Sequence, residues 1–344
     1  MRSSARDPLA HARQALRTHF IESGPEDGIP VVLLHGNLST ARFYEHLMPR
    51  ASGRYRLIAP DMRGFGDSER KPIDATRGLR DWSDDTRSLL QALGIDRPPH
   101  LAGWSTGGAA GALYAIDHGA ASLTLIDPVS PYGFGGTRAD GTPCSPDYAG
   151  SGGGVASPDF VARLAAGDRS ADSSTSPRAV MTRSYWAPTH QEPREEQLLD
   201  EMLKSAIGDD FYPGDMTASE HWPGVAPGTR GILNALSPKY LDWSALPEID
   251  PKPPLLWTYG TADVVISDAS AWDMGALGQA GQVPGWPGGD AHPPQPMIAQ
   301  TADVLERYGN VRVERFEGSG HFPPIDAAER WSEVFFAFLE DAEA

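Results

Sequence analysis

The segment PHLAGWSTGGAAGALYAIDH, residues 99–118, contains the pattern on which the fold prediction rests. Residues 99–104 form a short apolar run typical of a buried strand, and residues 107–118 have the small and apolar residues of a helix packed closely on a sheet. Between them lies Gly103-Trp104-Ser105-Thr106-Gly107, a GxSxG pattern. At a strand-to-helix junction this pattern makes a strained turn that projects its serine from the sheet. Ser105 is therefore the first candidate nucleophile.

The chain on both sides of this segment alternates short apolar runs with helical stretches. Strands are predicted for PVVLLH (30–35), YRLIAP (55–60), SLTLID (122–127), PLLWTY (254–259) and VRVERF (311–316), and amphipathic helices for residues 81–93 and 327–339. The connections up to residue 130 are short. This alternation predicts an α/β fold with a mostly parallel central sheet.

The alternation is interrupted after residue 130. Residues 131–158 are rich in Gly, Pro and Ser and predict a long loop, and helical patches follow at 160–166, 178–186, 194–207 and 231–235 with no β-rich run between them. A second irregular segment, residues 278–296, separates the last two strands. We therefore expect a core made of residues 1–130 and 246–344, with a helical cap inserted at 131–245.

Composition narrows the classes of function. The 29 basic and 46 acidic residues give a net charge of −17, which disfavours binding to nucleic acid and to anionic membranes. The single cysteine, Cys144, excludes an internal disulfide and a thiolate metal site. The sequence contains neither a signal-like apolar segment at its start nor a run of eighteen apolar residues. These features predict a cytoplasmic protein, and we expect it to be a monomer or homodimer.

A serine nucleophile needs a base within hydrogen-bond reach and a carboxylate that orients the base. Asp263 follows the strand PLLWTY in the stretch YGTAD, and His321 follows VRVERF in the stretch GSGHF. Both lie just past the carboxyl ends of predicted strands, where ligand sites form in open α/β sheets. Asp127, at the end of SLTLID, and Asp268 are the alternatives for the acid.

The loop after the first core strand supplies a candidate oxyanion hole. It has the sequence LHGN, residues 34–37. A backbone amide of this loop, that of Asn37 or alternatively of Leu38, is expected to pair with the amide of Thr106. His35 in the same loop is expected to hold the loop by hydrogen bonding and not to act as the base.

Taken together, the motifs LHGN, DMRGFGDS (61–68), GWSTG, YGTAD and GSGHF resemble those of α/β-hydrolase-fold serine hydrolases of the esterase and lipase type. The resemblance covers residues 25–130 and 250–340. It implies a central sheet of the α/β-hydrolase type with the helical cap inserted after the sixth core strand. It also implies that Asp61, Arg63 and Asp67 are structural. Asp263 and His321 are 58 residues apart, which is more than this family usually has.

The resemblance further implies a choice among cleavage of ester, lactone, amide, epoxide, carbon–halogen and carbon–carbon bonds. Epoxide hydrolases and haloalkane dehalogenases of this fold have aspartate where this chain has Ser105, which disfavours both. The family's proline-directed aminopeptidases commonly have GGxxG and GGSWG motifs, whereas this chain has HGNLS and GWSTG. Peptide substrates are therefore disfavoured too.

The sequence thus predicts a serine hydrolase that cleaves carboxylic esters or lactones through an acyl-enzyme, with Ser105, His321 and Asp263 as the triad and with no metal or organic cofactor. The alternatives are a carbon–carbon bond hydrolase or an amidase on the same triad, or a slow-turnover ligand-binding protein of the same fold. The expected substrate is a bulky, apolar small molecule with little or no charge. Predicted substrate-binding residues are Trp104, Leu38, Trp186, Trp222 and Phe322.

Overall fold

The computed structural model describes residues 16–51 and 53–344. Its strands are β1 (Phe20–Ser23), β2 (Ile29–Leu34), β3 (Tyr55–Pro60), β4 (His100–Trp104), β5 (Ser122–Ile126), β6 (Ile207–Gly208), β7 (Tyr212–Pro213), β8 (Met216–Ala218), β9 (Val225–Pro227), β10 (Leu255–Gly260) and β11 (Val311–Phe316). Its α-helices are α1 (Arg80–Ala92), α2 (Thr106–His118), α3 (Pro158–Ala165), α4 (Pro177–Ser184), α5 (Glu195–Leu203), α6 (Ile232–Ala235), α7 (Met274–Gln279), α8 (Met297–Tyr308), α9 (Pro323–Asp326) and α10 (Ala328–Ala342). Short 3₁₀ segments are Ala41–Arg50, Ala75–Arg77, Gly153–Val155 and Leu246–Glu248.

Seven strands form the central sheet in the order β1-β3-β2-β4-β5-β10-β11. All neighbours pair in parallel except β1 and β3, which are antiparallel. The predicted α/β fold with a mostly parallel sheet is therefore confirmed. The edge strand β1 was not predicted, because its sequence FIES is short and half-buried and has no clear alternation.

The middle strands are buried along their whole length, β4 and β5 without an exposed residue. Parallel strands covered on both faces have continuous apolar runs, which is why these strands are readable in the sequence. The register pairs Gly103 of β4 with Leu34 of β2 and with Leu125 of β5. The carboxyl ends of the middle strands therefore meet at one edge, and the loops that follow them meet there as well.

The segment between β5 and β10 contains α3 to α6 at the predicted positions. It also contains two small two-stranded sheets, β6–β7 and β8–β9, where we predicted no β structure. Strands of two or three residues are too short to show an alternating pattern, which explains the error. The strand before this segment is β5, the fifth in chain order. That it corresponds to the sixth core strand of the family remains a prediction. That residues 131–245 form a separate cap remains a prediction.

The two irregular segments, 131–158 and 278–296, pack against each other. Gln295 accepts a hydrogen bond from the amide of Gly135 (2.6 Å) and donates one to the carbonyl of Gly133 (3.0 Å). Its side chain is fully buried. These loops are therefore held by side chains instead of by a regular backbone ladder. Helix α8, which follows the second segment, was also not predicted. Among the described residues, no helix has the length and apolar character needed to cross a bilayer.

Candidate active site

Ser105 occupies the turn between β4 and α2, as predicted. Its backbone has φ 54° and ψ −115°, a conformation that non-glycine residues rarely adopt. The amide of Ser105 donates to the carbonyl of Ile126 (2.9 Å), and the carbonyl of Ser105 accepts from Val129 (3.1 Å). These contacts with the end of β5 hold the strained turn in place.

Glycines on both sides of the serine let the turn approach the sheet. A Cβ atom on Gly107 would lie 2.2 Å from the carbonyl oxygen of Leu34, and one on Gly103 would lie 2.1 Å from the carbonyl oxygen of Gly107. No side chain fits at such distances. The GxSxG spacing is thus a packing requirement of this turn.

His321 and Asp263 lie together beneath the same edge of the sheet. The Nδ1 atom of His321 is 2.7 Å from Oδ2 of Asp263, and both side chains are almost fully buried. The other carboxylate oxygen of Asp263 accepts from the amide of Val265 (2.6 Å). With Nδ1–H donating to Asp263, the imidazole presents Nε2 as its free basic atom.

Asp127, the alternative acid, lies next to this pair at the end of β5. It is fully buried, and one of its oxygens accepts from the amide of Gly260 (3.0 Å). Side-chain atoms of Asp127, Asp263 and His321 lie within 4.8 Å of one another. Burial, and then the negative charge of Asp263, raise the pKa of Asp127 well above its ordinary value. Asp127 is therefore the neutral member of the carboxyl pair, and Asp263 is the carboxylate that accepts the hydrogen bond from Nδ1–H of His321.

Asp268, the other alternative acid, is exposed and accepts hydrogen bonds from the amides of Ile298 (2.9 Å) and Ala299 (3.1 Å) at the start of α8. It lies outside the carboxyl pair beside His321.

Asn37, Leu38 and Thr106 line the same cavity as Ser105. The backbone hydrogen bonds among residues 16–51 and 53–344 include none donated by the amides of Asn37 or Leu38. Thr106 is the first residue of α2, where backbone amides have no acceptor within the helix. These amides are available to a ligand oxygen, and the choice between Asn37 and Leu38 stays open.

Tyr185 fixes the loop that contains these amides. Its hydroxyl donates to the carbonyl of Asn37 (2.9 Å) and lies 3.2 Å from that of Leu38. Its ring packs edge-on against Trp104, with 5.1 Å between the ring centres. Sequence reasoning missed Tyr185, because it lies in the inserted segment, far along the chain from the loop that it holds.

A cavity of about 550 Å³ opens above Ser105. His321, Trp104 and Leu38 form part of its wall, as predicted for a triad histidine and two lining residues. Aromatic and aliphatic side chains of the inserted segment and of the loop after β10 supply most of the rest. These include Phe134, Phe160, Val180, Tyr185, Tyr212, Leu233, Leu236, Val265, Ile266, Trp272 and Leu277.

Three of the predicted substrate-binding residues lie outside this cavity wall. Trp186 is buried and borders a separate surface groove. Trp222 packs on His292 and donates to the carbonyl of Pro284. Phe322 is fully buried and stacks on Trp104, with 4.2 Å between ring centres. Whether such a ring faces the cavity depends on tertiary packing, which leaves no periodic pattern in the sequence.

Trp104 connects the cavity wall to the histidine. Its indole Nε1 donates to the carbonyl oxygen of His321 (2.8 Å), and its side chain is fully buried. The position next to Ser105 thus also fixes the backbone of the base. Sequence analysis had assigned Trp104 only a lining role.

The motif DMRGFGDS has the structural contacts that the resemblance implied. Arg63 donates to both oxygens of Asp85 (2.8 and 2.9 Å) and to Asp81 (3.1 Å). Asp61 accepts from the amides of Ala41 and Asp67, both at 2.9 Å.

His35 donates from Nδ1 to the carbonyl of Gly36 (2.7 Å) and accepts at Nε2 from the amide of Met62 (2.9 Å). Its ring is therefore held neutral within the loop, and burial lowers its pKa to about 4.

Among the residues that the structure describes, two clusters of titratable side chains have the spacing of metal ligands. In the cluster of Asp127, Asp263 and His321, the histidine and one carboxylate are joined by a direct hydrogen bond. In the cluster of His19, Asp61 and Asp67, the oxygens of Asp61 accept backbone amides and face His19 at 2.7 Å. Hydrogen bonds within the protein therefore already use several of the candidate ligand atoms in both clusters, whereas Oδ2 of Asp127 is buried and has no partner among the described residues.

The chain matches the model of the alpha/beta hydrolase family over residues 31–334. It is 39% identical over 121 residues to a cis-3-alkyl-4-alkyloxetan-2-one decarboxylase of Xanthomonas campestris, a match covering 33% of this chain and 40% of that protein. It is 34% identical over 119 residues to a haloalkane dehalogenase of Mycobacterium marinum, covering 32% and 37%. The chain thus spans about two fifths of the length of these curated relatives.

Solved structures resemble the chain over nearly its whole length. A putative aryl esterase from Burkholderia cenocepacia superposes with a TM-score of 0.61 at 20% identity, covering 95% of each chain. An enol-lactonase from Burkholderia xenovorans gives a TM-score of 0.57 at 17% identity, covering 94% of this chain and 96% of that one. At such identities the likeness shows a shared fold. Because the family match spans most of the sequence, and the seven-stranded sheet has the same fold as these structures, the chain belongs to the alpha/beta hydrolase family.

Proposed function

We propose that the protein is a serine hydrolase that cleaves carboxylic esters or lactones of a bulky apolar small molecule. One observation carries this proposal. Ser105 lies on a strained turn at the base of an apolar cavity, and the wall of that cavity includes His321, which is hydrogen-bonded at 2.7 Å to the buried Asp263. Nucleophile, base and orienting acid are the parts that acyl transfer requires.

In the proposed reaction Ser105 attacks the carbonyl carbon, and Nε2 of His321 accepts the hydroxyl proton. Asp263 stabilises the imidazolium that forms and keeps the ring in the required tautomer. The backbone amides of Thr106 and of Asn37, or alternatively Leu38, bind the oxyanion of the tetrahedral intermediate. His321 then protonates the leaving alcohol, and a water molecule releases the acid from Ser105 by the same steps in reverse.

The type of nucleophile favours acyl substrates over halides and epoxides. Displacement at an alkyl carbon by Ser105 would leave an ether, which water does not cleave, whereas an acyl ester on serine is readily hydrolysed. The similarity to a haloalkane dehalogenase over 119 residues therefore does not extend this proposal to carbon–halogen bonds. Similarity to a protein named for an oxetan-2-one, a cyclic ester, and a shared fold with an esterase and a lactonase support the ester and lactone class.

The proposal is tested with a panel of p-nitrophenyl esters and lactones, with products identified by mass spectrometry. We expect turnover of some members by the wild-type protein and a loss on the order of a million-fold in Ser105→Ala. A p-nitrophenyl phosphonate should phosphonylate Ser105 with release of p-nitrophenolate, so that the peptide containing Ser105 gains the mass of the phosphonyl group. The proposal fails if no ester or lactone is cleaved faster than by Ser105→Ala, or if the phosphonate leaves Ser105 unlabelled.

A further inference from the structure

One positive charge lies on the wall of the apolar cavity. Among the described residues that line it, none is Asp, Glu or Lys, and Arg183 is the only side chain with a permanent charge. The remaining lining atoms are mostly hydrocarbon. An ion beside such a surface has few competing polar partners, so it interacts strongly with a group of opposite charge.

Arg183 lies at the rim of the cavity. It belongs to the last turn of α4, and its guanidinium carbon is 5.5 Å from the ring centre of Trp272, which also lines the cavity. The side chain of Arg183 is exposed to solvent. Stacking on an indole face holds a guanidinium in a defined plane and leaves its edge free to donate hydrogen bonds.

The donors of Arg183 are largely unused. Its one hydrogen bond in the described part of the chain goes from Nη1 to the carbonyl of Ser174, at 3.3 Å. Arg183 also borders a neighbouring surface groove, which it shares with Glu192 and Glu195. Both carboxylates are already paired, since Glu195 accepts from Arg178 (2.6 Å) and Glu192 from Arg194 (3.1 Å).

Within the described part of the chain, Arg183 takes part in no ion pair, although the sequence has 46 acidic and 29 basic residues. A guanidinium has five N–H donors, so most of them remain available to a ligand.

We propose that Arg183 binds a carboxylate of the substrate. The substrate class is then an ester or lactone with an apolar body that fills the cavity and a carboxylate, remote from the reacting carbonyl, that reaches the rim. This inference rests on the proposed function, because the reacting carbonyl is assigned to Ser105. It changes the sequence-based expectation of a substrate with little or no charge.

The test compares two series of substrates. One consists of mono-p-nitrophenyl esters of straight-chain dicarboxylic acids, and the other of p-nitrophenyl esters of monocarboxylic acids of equal chain length. At the best chain length, the anionic ester should have a kcat/KM about tenfold or more above that of the neutral ester, as expected for a charged hydrogen bond at a partly exposed site. High salt should reduce this ratio.

The variants Arg183→Met and Arg183→Lys locate the effect. Arg183→Met should lower the ratio to one or below, because the net charge of −17 then repels the anionic ester. Arg183→Lys should keep part of the ratio, since lysine retains the charge but not the planar donor edge. Arg330→Met is the matched control: Arg330 also lies over an aromatic ring, Phe316 at 4.6 Å, but neither residue lines the cavity. A ratio that stays at or below one for every chain length, or that survives in Arg183→Met, overturns the proposal.

Binding without turnover separates this inference from the proposed function. Titration calorimetry with Ser105→Ala compares octanoate with 1-octanol, and octanoate should bind more tightly only while Arg183 is present. If no ester is hydrolysed but octanoate shows this dependence on Arg183, the proposed function fails and the anion site stands. If esters are hydrolysed and octanoate gains nothing from Arg183, the anion site fails and the hydrolase stands.

Discussion

Replacing each carboxyl of the Asp127–Asp263 pair by its amide should give very unequal losses of activity. Both side chains are buried, and the pair lies within 4.8 Å. Two ionised carboxylates at that distance would repel each other by about 3.5 kcal/mol at an effective dielectric constant near 20. A proton on one of them removes this repulsion. Asp263 faces His321 at 2.7 Å, so the negative charge belongs on Asp263 and the proton on Asp127.

For Asp263→Asn we expect kcat/KM to fall by about ten-thousand-fold, or about 5.5 kcal/mol of transition-state stabilisation. The amide removes the charge that stabilises the imidazolium. If its nitrogen faces Nδ1 of His321, it also favours the tautomer with the proton on the wrong nitrogen. The backbone amide of Val265 can still donate to the remaining oxygen, so the loop should stay folded.

For Asp127→Asn we expect a loss of less than about tenfold, or roughly 1.4 kcal/mol. An amide has the size and neutrality of a protonated carboxyl, and its oxygen can still accept from the amide of Gly260. Asp127→Ala provides a contrast in stability, because it leaves that buried amide without an acceptor at a cost of about 1–3 kcal/mol.

The assay is kcat/KM on the best ester of the panel, with circular dichroism and the thermal midpoint recorded for each variant. If Asp127→Asn loses ten-thousand-fold while Asp263→Asn keeps most of the activity, Asp127 is the acid and the charge assignment is wrong. If kcat/KM falls ten-thousand-fold in both Asp127→Asn and Asp263→Asn while both variants stay folded, the reasoning that Asp127 is neutral is refuted.

Two further predictions concern stability. Gly107→Ala should lower the urea midpoint by the equivalent of about 2–3 kcal/mol or prevent folding, because its Cβ would lie 2.2 Å from the carbonyl oxygen of Leu34. Gly289→Ala is the control and should change the midpoint little, because its Cβ would meet no atom within 4 Å. Equal midpoints for the two variants would contradict this prediction. Burial and the neighbouring Arg194 lower the pKa of His46 to about 4. Below about pH 6.5 the unfolded chain therefore binds a proton at His46 that the folded protein does not bind, so the free energy of unfolding decreases as the pH falls from 6.5 towards 4. Relative to His46→Gln, the wild type should therefore lose about 2 kcal/mol of unfolding free energy between about pH 7.5 and pH 5; a difference independent of pH would refute the assignment.

The core of the fold was predictable because its strands are buried on both faces. Runs such as SLTLI in β5 contain the apolar signal within five residues. The edge strand β1 lacked this signal, since most of its residues are half-buried and, within the described part of the chain, it pairs only with the antiparallel β3. Strands β6 to β9 are too short for any periodicity.

The positions of Ser105, Asp263 and His321 were predictable for a related reason. Each follows a strand of the parallel sheet, and parallel strands bring their carboxyl ends to one edge whatever the sequence between them. The separation of 58 residues between Asp263 and His321 does not prevent their contact, because β10 and β11 are adjacent in the sheet.

The residues that shape the cavity follow no such rule, because the inserted segment is held by scattered side-chain contacts. Asn234, for example, accepts from the amides of Gly153 and Gly228 and donates to the carbonyl of Asp215. Contacts of this kind depend on residues tens of positions apart and leave no periodic pattern in the sequence. They nevertheless determine that Arg183 reaches both the cavity wall and a neighbouring groove, while Trp186, three residues later, borders that groove and not the cavity. On the proposed function, the reaction type is therefore encoded in local motifs at strand ends, and substrate choice is expected to depend on the packing of an irregular segment. Substitutions between residues 131 and 245 should accordingly change the preference among esters more often than they abolish ester cleavage.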